Sequence, residues 1–285
     1  MDRAVIVGVD GSGPGHEALA FAVRTAAASG SRLELLHIVD FETEATLGDR
    51  GAEAVRRSGI DLLEAAAEEA LALDASVSSR MRLVSGRLMW ELVAASVGAE
   101  LVVVGTHKTG FIRGRVFGSR SLFLAAAAQC PVAVIPLSNQ AARRGVGVGF
   151  DASPASFAAL RFAAAVAAPA GDELTIIRAL APAERHGESD AVRRHREQVQ
   201  QRAAAALLLV AESAAKAYAP GLSVRTRIVH ACPAEALVTA SASAKLLVLG
   251  SGREREQSHP TLGETGHDVL MNLQGPAVIV HGTDR

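Results

Sequence analysis

The chain carries one pattern twice, and this internal repeat constrains its fold more than any other feature. Val5–Pro14 has the sequence VIVGVDGSGP and returns as Val146–Pro154, with the sequence VGVGFDASP. The offset is about the size of one domain, and later features return at nearly the same spacing: Leu101–Gly105 and Leu246–Gly250, Gly118 and Gly263, and Pro131–Ile135 and Pro276–Val280. The repeat predicts two tandem domains, at residues 1-138 and 145-285, joined by a polar segment.

Short apolar runs alternate with helical periodicity within the first repeat. Strands are predicted at Arg3–Val9, Leu33–Val39, Arg80–Val84, Leu101–Val104 and Val132–Ile135, and helices at Gly15–Ser29, about Ala52–Leu73, Leu88–Val97 and Gly118–Ala128. The second repeat follows the same order, with a longer second helix at about Asp190–Tyr218. Each parallel return needs a crossover. The pattern therefore predicts an α/β fold of two tandem doubly wound domains, each with a five-stranded parallel sheet and helices on both faces.

Composition excludes several classes of partner. The formal net charge is -1 and aromatic residues make up only 4%, so the chain offers neither a basic field nor a stacking platform for nucleic acid. No uncharged apolar run approaches the roughly 18 residues of a membrane span. Cys130 and Cys232 show no disulfide or metal spacing, which favours two buried, reduced thiols in a cytoplasmic protein.

A strand, a glycine-rich loop and a helix start follow one another in the first repeat. The apolar strand Leu101–Val104 leads into Gly105–Gly110 and then Gly114, and Gly118–Ser119 opens the next helix. The first amides of a helix lack intrahelical partners and can bind an anion. Ligands of open α/β sheets bind outside the carboxyl ends of strands, where Asp10 and Gly105 both lie. Neither a Walker A loop nor the dinucleotide fingerprint is present.

These residues resemble the universal stress proteins. The ATP-binding members of that family carry Gly-x2-Gly-x9-Gly-Ser/Thr after the fourth strand and an Asp at the end of the first. The matching residues here are Gly105, Gly118 and Ser119, with Asp10 in VDGS. The sequence departs from the motif at its second glycine, which is Lys108.

The resemblance implies an ATP site in the first domain, with any metal arriving as Mg²⁺ on the nucleotide. Val9, Asp10 and Gly11 would face the ribose or adenine, and the backbone of Ile38 would contact adenine. Ribose and phosphates would lie against Gly105, Thr106, His107, Lys108, Gly118, Ser119, Arg120 and Ser121. The Lys108 ammonium either pairs with a phosphate or fills its place, and both readings stay open. His37 and His107 near Asp10 do not have metal-ligand spacing, so hydrogen-bonding roles are expected for both histidines.

The second repeat departs further from the motif. Arg253 stands at the second glycine, Glu264 follows Gly263 in place of Ser or Thr, and Ala152 takes the place of Gly11. A carboxylate at a helix start stabilises the helix but repels a phosphate placed there. We expect this domain to have lost nucleotide binding and to serve as a structural partner.

Three classes of function remain open. The first is a nucleotide-dependent stress-response sensor or adaptor for an unknown protein. The second is a slow ATP hydrolase or transferase, although no general base, arginine finger or metal-binding acid pair is evident, and no catalytic residue is predicted. The third is a structural protein that binds no nucleotide. The apolar final strands invite edge pairing, and the resemblance suggests an internal pseudo-dimer and a possible homodimer.

Overall fold

The computed structural model describes residues 4–107, 110–112, 115–117, 119–137, 142–182, 189–252 and 261–282. Lys108 and Gly118 lie outside these ranges, and the side chain of Ser119 is not described. The chain divides into two compact units, one centred on the first repeat and the other on the second. Among the described residues, no helix is long and apolar enough to cross a membrane.

The first domain is a doubly wound sheet with a small hairpin inserted after its fourth strand. Its strands are β1 (Ala4–Gly8), β2 (Arg32–Asp40), β3 (Ser79–Gly86), β4 (Leu101–Thr106), β5 (Gly110–Ile112), β6 (Arg115–Phe117) and β7 (Val132–Pro136). Its helices are α1 (Gly13–Ser29), α2 (Phe41–Leu73), α3 (Leu88–Ala95) and α4 (Ser119–Ala127). The main sheet runs β7-β4-β1-β2-β3 with every pair parallel.

The second domain repeats this arrangement without a described hairpin. Its strands are β8 (Val146–Gly149), β9 (Leu174–Ala179), β10 (Val224–Val229), β11 (Leu246–Ser251) and β12 (Ala277–His281). Its helices are α5 (Pro154–Ala170), α6 (Asp190–Tyr218), α7 (Pro233–Ser241) and α8 (Glu264–Met271). The strands run β10-β9-β8-β11-β12, all parallel. The predicted fold of two tandem doubly wound domains is thereby confirmed.

Local signals set the same helix bounds in both domains. The Ser12 hydroxyl accepts a hydrogen bond from the Gly15 amide at 3.1 Å, and the Ser153 hydroxyl accepts one from the Ser156 amide at 3.2 Å. These side chains satisfy amides that the first helical turn leaves without partners. Both helices end at a glycine in the left-handed conformation, Gly30 and Gly171. Glycine adopts this conformation without steric cost because it has no Cβ.

Small and branched apolar side chains fill the two cores in matching positions. Leu63, Ala66 and Ala70 of α2 are buried, as are Leu208, Ala211 and Ala215 of α6. The buried Ser96 hydroxyl accepts from the Gln129 amide at 2.8 Å, and the buried Ser241 hydroxyl accepts from the Gln274 amide at 3.3 Å. The duplication therefore extends from strand order to individual buried contacts.

Helix α2 begins at Phe41, eleven residues before the predicted start at Ala52. Asp40 explains this start because its carboxylate accepts hydrogen bonds from the amides of Glu42 and Thr43 at 3.0 and 3.1 Å. The helix is kinked at Gly48, which has a φ of 64°. The predicted helix, from about Ala52 to Leu73, corresponds to the part of α2 that follows this kink.

Three further expectations are corrected by the structure. The glycine loop after β4 contains the antiparallel pair β5 and β6, whose three-residue strands are too short to give a periodic signal. Cys232, the N-cap of α7, is exposed rather than buried, whereas Cys130 is buried as expected. Arg143, in the predicted polar connector, is buried and donates to the carbonyls of Ser241 and Gln274.

Candidate functional site

Strand register brings the predicted site residues of the first domain to one edge of the sheet. Gly8 lies opposite Leu36 and Val7 lies opposite Val103. Two residues further along each strand, Val9–Asp10, Ile38 and Gly105 therefore reach the same carboxyl edge. The strand order reverses between β1 and β4, which is where ligands of open α/β sheets bind.

Backbone and imidazole hydrogen bonds hold the chain where β1 ends. The Val9 amide donates to the Leu36 carbonyl at 2.9 Å. The Val9 carbonyl accepts from His37 Nδ1 at 2.7 Å, so that nitrogen carries the proton. The hydrogen-bonding role predicted for His37 is confirmed, and its effect is to fix the peptide that precedes Asp10.

The Asp10 carboxylate is exposed and held by a tight local turn. Its Oδ1 accepts from the Ser12 amide at 3.0 Å and from the Ser12 hydroxyl at 2.7 Å. Gly11 between them has a φ of +69°, and a Cβ there would lie 2.8 Å from Leu62 Cδ2. The backbone conformation therefore favours glycine at this position, and a Cβ would also require the Leu62 side chain of α2 to shift.

Gly105 is a glycine because α1 packs directly on β4. A Cβ on Gly105 would lie 2.5 Å from the Pro14 carbonyl carbon and 2.7 Å from the Gly15 amide nitrogen. Sequence reasoning linked this glycine to close approach by a ligand. The structure shows a requirement of the fold, and the signal for it was the same glycine in the second repeat, at Gly250.

The remaining predicted residues fall on the end of β4 and the start of α4. Thr106 is buried and its hydroxyl donates to the His107 carbonyl at 3.1 Å, whereas the His107 side chain is exposed. Helix α4 runs back between two parallel strands, so its start at Ser119 lies at the edge where β4 ends. Arg120 is exposed there and Ser121 is buried.

The described residues at this edge do not form a cluster of metal-ligating side chains. In the part of the chain that the structure describes, no three His, Cys, Asp or Glu residues are grouped as metal ligands would be. His37 uses Nδ1 on a backbone carbonyl. The described residues thus offer peptide groups, one exposed carboxylate, one exposed guanidinium and a helix start.

The second domain has the same turn with one strained residue. Asp151 Oδ1 accepts from the Ser153 amide at 2.9 Å, as Asp10 does from Ser12. Ala152 has a φ of 68°, a conformation that an L residue with a Cβ adopts at a cost of about 1 kcal/mol or more. Gly250 meets Ala155 as Gly105 meets Pro14, because its Cβ would lie 2.3 Å from the Ala155 carbonyl carbon.

Arg178 occupies the place of His37. Gly149 pairs with Ile177 as Gly8 pairs with Leu36, so the next residue along β9, Arg178, corresponds to His37. Arg178 Nη1 donates to the Phe150 carbonyl at 3.4 Å, the counterpart of the shorter bond from His37 to Val9. In each domain, a side chain of the second strand thus hydrogen-bonds to the peptide before the shared aspartate turn, through an imidazole in one domain and a guanidinium in the other.

Charge distinguishes the two sheet edges. Burial alone would raise the pKa of Asp151, but hydrogen bonds from Ser153 and Ser156 and the charge of Arg178 outweigh it and lower that pKa. Helix α8 begins at the exposed Glu264, and its N-cap Gly263 makes no side-chain capping bond. A phosphate at the start of α8 would lie close to the Glu264 carboxylate, whereas the matching residue of the first domain is Ser119.

A cleft of about 150 Å³ opens at this edge of the second domain. It is lined by the ends of the three central strands and by residues in the first turns of α5, α7 and α8: Gly149, Phe150, Asp151, Ser156, Ile177, Arg178, Ala179, Pro233, Leu237, Leu249, Gly250 and Thr265. The sequence does not predict this cleft, because its lining residues come from strands and helices far apart along the chain and share no motif.

The fold and the paired edges define a tandem α/β protein with one site position in each domain. The model of the universal stress protein family matches residues 1–136 and 143–281. The chain therefore belongs to the universal stress protein family, and the resemblance found in the sequence is confirmed.

Known relatives agree with this assignment. Universal stress protein Rv2005c from Mycobacterium tuberculosis is 29% identical over 97% of this chain and 96% of its own length. Universal stress protein Rv3134c from the same organism is 32% identical over 47% of this chain and 48% of its own. The crystal structure of a universal stress protein from Archaeoglobus fulgidus shares the fold, with a TM-score of 0.71 at 18% identity over 99% of this chain and 100% of that one.

Proposed function

We propose that the first domain binds ATP and that its occupancy changes a surface offered to a partner protein, as a nucleotide-dependent stress-response sensor or adaptor. The observation that carries the proposal is the single edge shared by the exposed Asp10 carboxylate, the end of β4 and the start of α4. These three features suit the three parts of a nucleotide. Mg²⁺ would arrive with the phosphates, since the described residues form no metal site of their own.

Asp10 suits the ribose. Ser12 orients the carboxylate through Oδ1, and the side chain is exposed, so it can accept hydrogen bonds from ribose hydroxyls. The His37 bond to the Val9 carbonyl keeps the neighbouring backbone and Ile38 in place beside it. A base lying against β2 would then contact the backbone near Ile38.

The start of α4 suits the phosphates. The unpaired amides and the dipole of a helix start favour negative charge, and the exposed Arg120 adds a cation there. Lys108 adds a second cation within the loop sequence. We propose that it pairs with a phosphate, as an ammonium readily does.

Calorimetry of the full-length chain with Mg-ATP tests the proposal, with one variant in each domain. Ser119→Glu places a carboxylate where phosphates would bind and should weaken affinity at least about tenfold, or 1.4 kcal/mol. Glu264→Ser, the reverse change at the matching position, should leave the first site unchanged. The absence of saturable binding in the unmodified chain would refute the proposal, as would equal affinity in Ser119→Glu.

Two further arms separate the remaining alternatives. Lys108→Gly should weaken ATP binding if the ammonium pairs with a phosphate, and tighter binding would show that lysine obstructs the site. Sustained phosphate release above that of Ser119→Ala/Ser121→Ala would instead indicate an ATP hydrolase. Hydrogen exchange with and without ATP should show altered protection outside the site, and identical exchange would contradict the adaptor role.

A further inference from the structure

The cleft of the second domain has its own chemistry, which a lost nucleotide site does not explain. Its walls are apolar where Pro233, Leu237 and Leu249 line it, and Arg178 provides a guanidinium. Among the described residues, no carboxylate lies within ion-pair distance of Arg178. Its Nε is buried with no hydrogen-bond partner in the same part of the chain.

That guanidinium is incompletely used by the protein itself. Its one described hydrogen bond, to the Phe150 carbonyl, is long at 3.4 Å. A guanidinium presents donors in a fixed fork that matches a carboxylate, and buried donors are normally paired. Because Nε is closed to solvent, a ligand carboxylate in the cleft would accept hydrogen bonds from the Nη groups of Arg178 instead.

The size and the charges of the cleft limit what can bind. A volume of about 150 Å³ is close to that of a cavity that admits benzene, and well below the roughly 300 Å³ at which drug-sized sites begin. Asp151 lines the cleft, and Glu264 precedes Thr265 at its rim. Both carboxylates disfavour a ligand with further negative charges.

The register comparison shows what changed between the domains. Arg178 replaces His37, and the next residue, Ala179, replaces Ile38. The side chains of successive strand residues point to opposite faces of a sheet, so the exchange that concerns a charged ligand is that of the His37 imidazole for the Arg178 guanidinium. Glu264 adds a negative charge at the helix start.

We infer that the second domain binds a small monocarboxylate, with the carboxylate on Arg178 and a compact apolar body against Leu237 and Leu249. The ligand is oriented differently from the ATP proposed for the first domain. Its anionic group lies at the second strand of the domain, whereas the phosphates of ATP would lie at the helix start. The site is independent of ATP binding in the first domain.

Benzoate is a suitable probe because it joins one carboxylate to one ring. Calorimetry of the full-length chain, with and without saturating Mg-ATP, should show one benzoate site per chain in both conditions. Benzamide, of the same shape without the charge, and benzylamine, with the opposite charge, should each bind at least about tenfold more weakly, because a hydrogen bond to a charged group is among the strongest available. No benzoate binding up to millimolar concentration would overturn the inference, as would equal binding of benzamide or benzylamine.

Variants then assign the site. Arg178→Gln should weaken benzoate binding at least about tenfold, whereas His37→Gln, the matched change in the first domain, should leave it unchanged. Leu237→Trp, which fills the cleft and keeps the guanidinium, should also abolish binding, with circular dichroism and thermal melting reporting that each variant is folded. Equal affinity in Arg178→Gln, or loss of binding in His37→Gln, would overturn the assignment.

Inorganic phosphate provides the last arm. It should not compete with benzoate, because it carries more charge and no apolar body. Equally strong competition by phosphate would show a general anion site in place of the one inferred. Failure of ATP binding would leave the benzoate result intact, so the two proposals fail separately.

Discussion

The carboxyl edges of the two sheets have the same backbone and different charges. Gly105 packs against the first turn of α1, and Gly250 packs against the first turn of α5 at nearly the same distances. Asp10 and Asp151 each form the same turn with the serine two residues later. The helix start then carries Ser119 in one domain and Glu264 in the other. The comparison teaches that the motif glycine is kept by packing, so it persists even where the phosphate position carries a carboxylate.

The second strand shows a different kind of divergence. His37 and Arg178 both donate to the carbonyl of the residue after the first strand of their domain, at 2.7 and 3.4 Å. Both side chains keep the hydrogen bond to this carbonyl, but they differ in charge because one is an imidazole and the other a guanidinium. The residue at this position of the second strand therefore both holds the backbone in place and influences which ligand can bind at the carboxyl edge of the sheet.

The largest expected effect follows from the shared packing of the two glycines. Gly105→Ala and Gly250→Ala each place a Cβ within 2.6 Å of a backbone carbonyl, so each should destabilise its domain by about 3 kcal/mol or more. Chemical unfolding measures the change, with fluorescence of Trp90, the single tryptophan, reporting on the first domain and circular dichroism on both.

Gly252→Ala is the matched control because a Cβ there has no described atom within 4 Å. Its effect should stay within about 0.5 kcal/mol. If Gly105→Ala left the Trp90 transition in place and weakened only ATP binding, the glycine would serve the ligand and the comparison between the domains would fail.

A smaller and asymmetric effect is expected at the left-handed residue of each turn. Gly11→Ala should cost about 1 to 2 kcal/mol, chiefly because a residue with a Cβ is strained at the positive φ of this position, and the Leu62 methyl 2.8 Å from the new Cβ can shift aside. Ala152→Gly should stabilise the second domain by about 0.5 to 1 kcal/mol, since strain relief is partly offset by the greater freedom of glycine in the unfolded chain. Unfolding midpoints measure both, and a loss of stability in Ala152→Gly would show that this residue is not strained.

The smallest expected effect concerns Asp151. Its pKa in the folded protein lies below the ordinary value of about 3.9, so its contribution to stability is present above that value and is lost as pH falls through the folded pKa. Asp151→Asn should therefore flatten the decline in stability below about pH 4, and Arg178→Gln should do so in part by removing the nearby cation. Unchanged acid unfolding curves in both variants would contradict this role for Arg178.

Much of this architecture was predictable because its signals are local. Alternating apolar runs and helical periods predicted the five strands of the main sheet in the first domain, and predicted α6 at Asp190–Tyr218 as observed. The missed features depend on single residues instead. Asp40 starts α2 early through two side-chain hydrogen bonds, and Arg143 is buried because carbonyls of the second domain accept from it.

The sequence by itself determined the duplication, the fold class, the family and the change from Ser119 to Glu264, because these depend on order, spacing and residue type along one chain. Only the tertiary structure decided why Gly105 must be glycine, that Arg178 stands where His37 stands, and that a cleft lies beside it. These facts depend on the register between strands and on how closely a helix approaches a sheet. Such distances join residues far apart in sequence, and no periodicity along the chain records them.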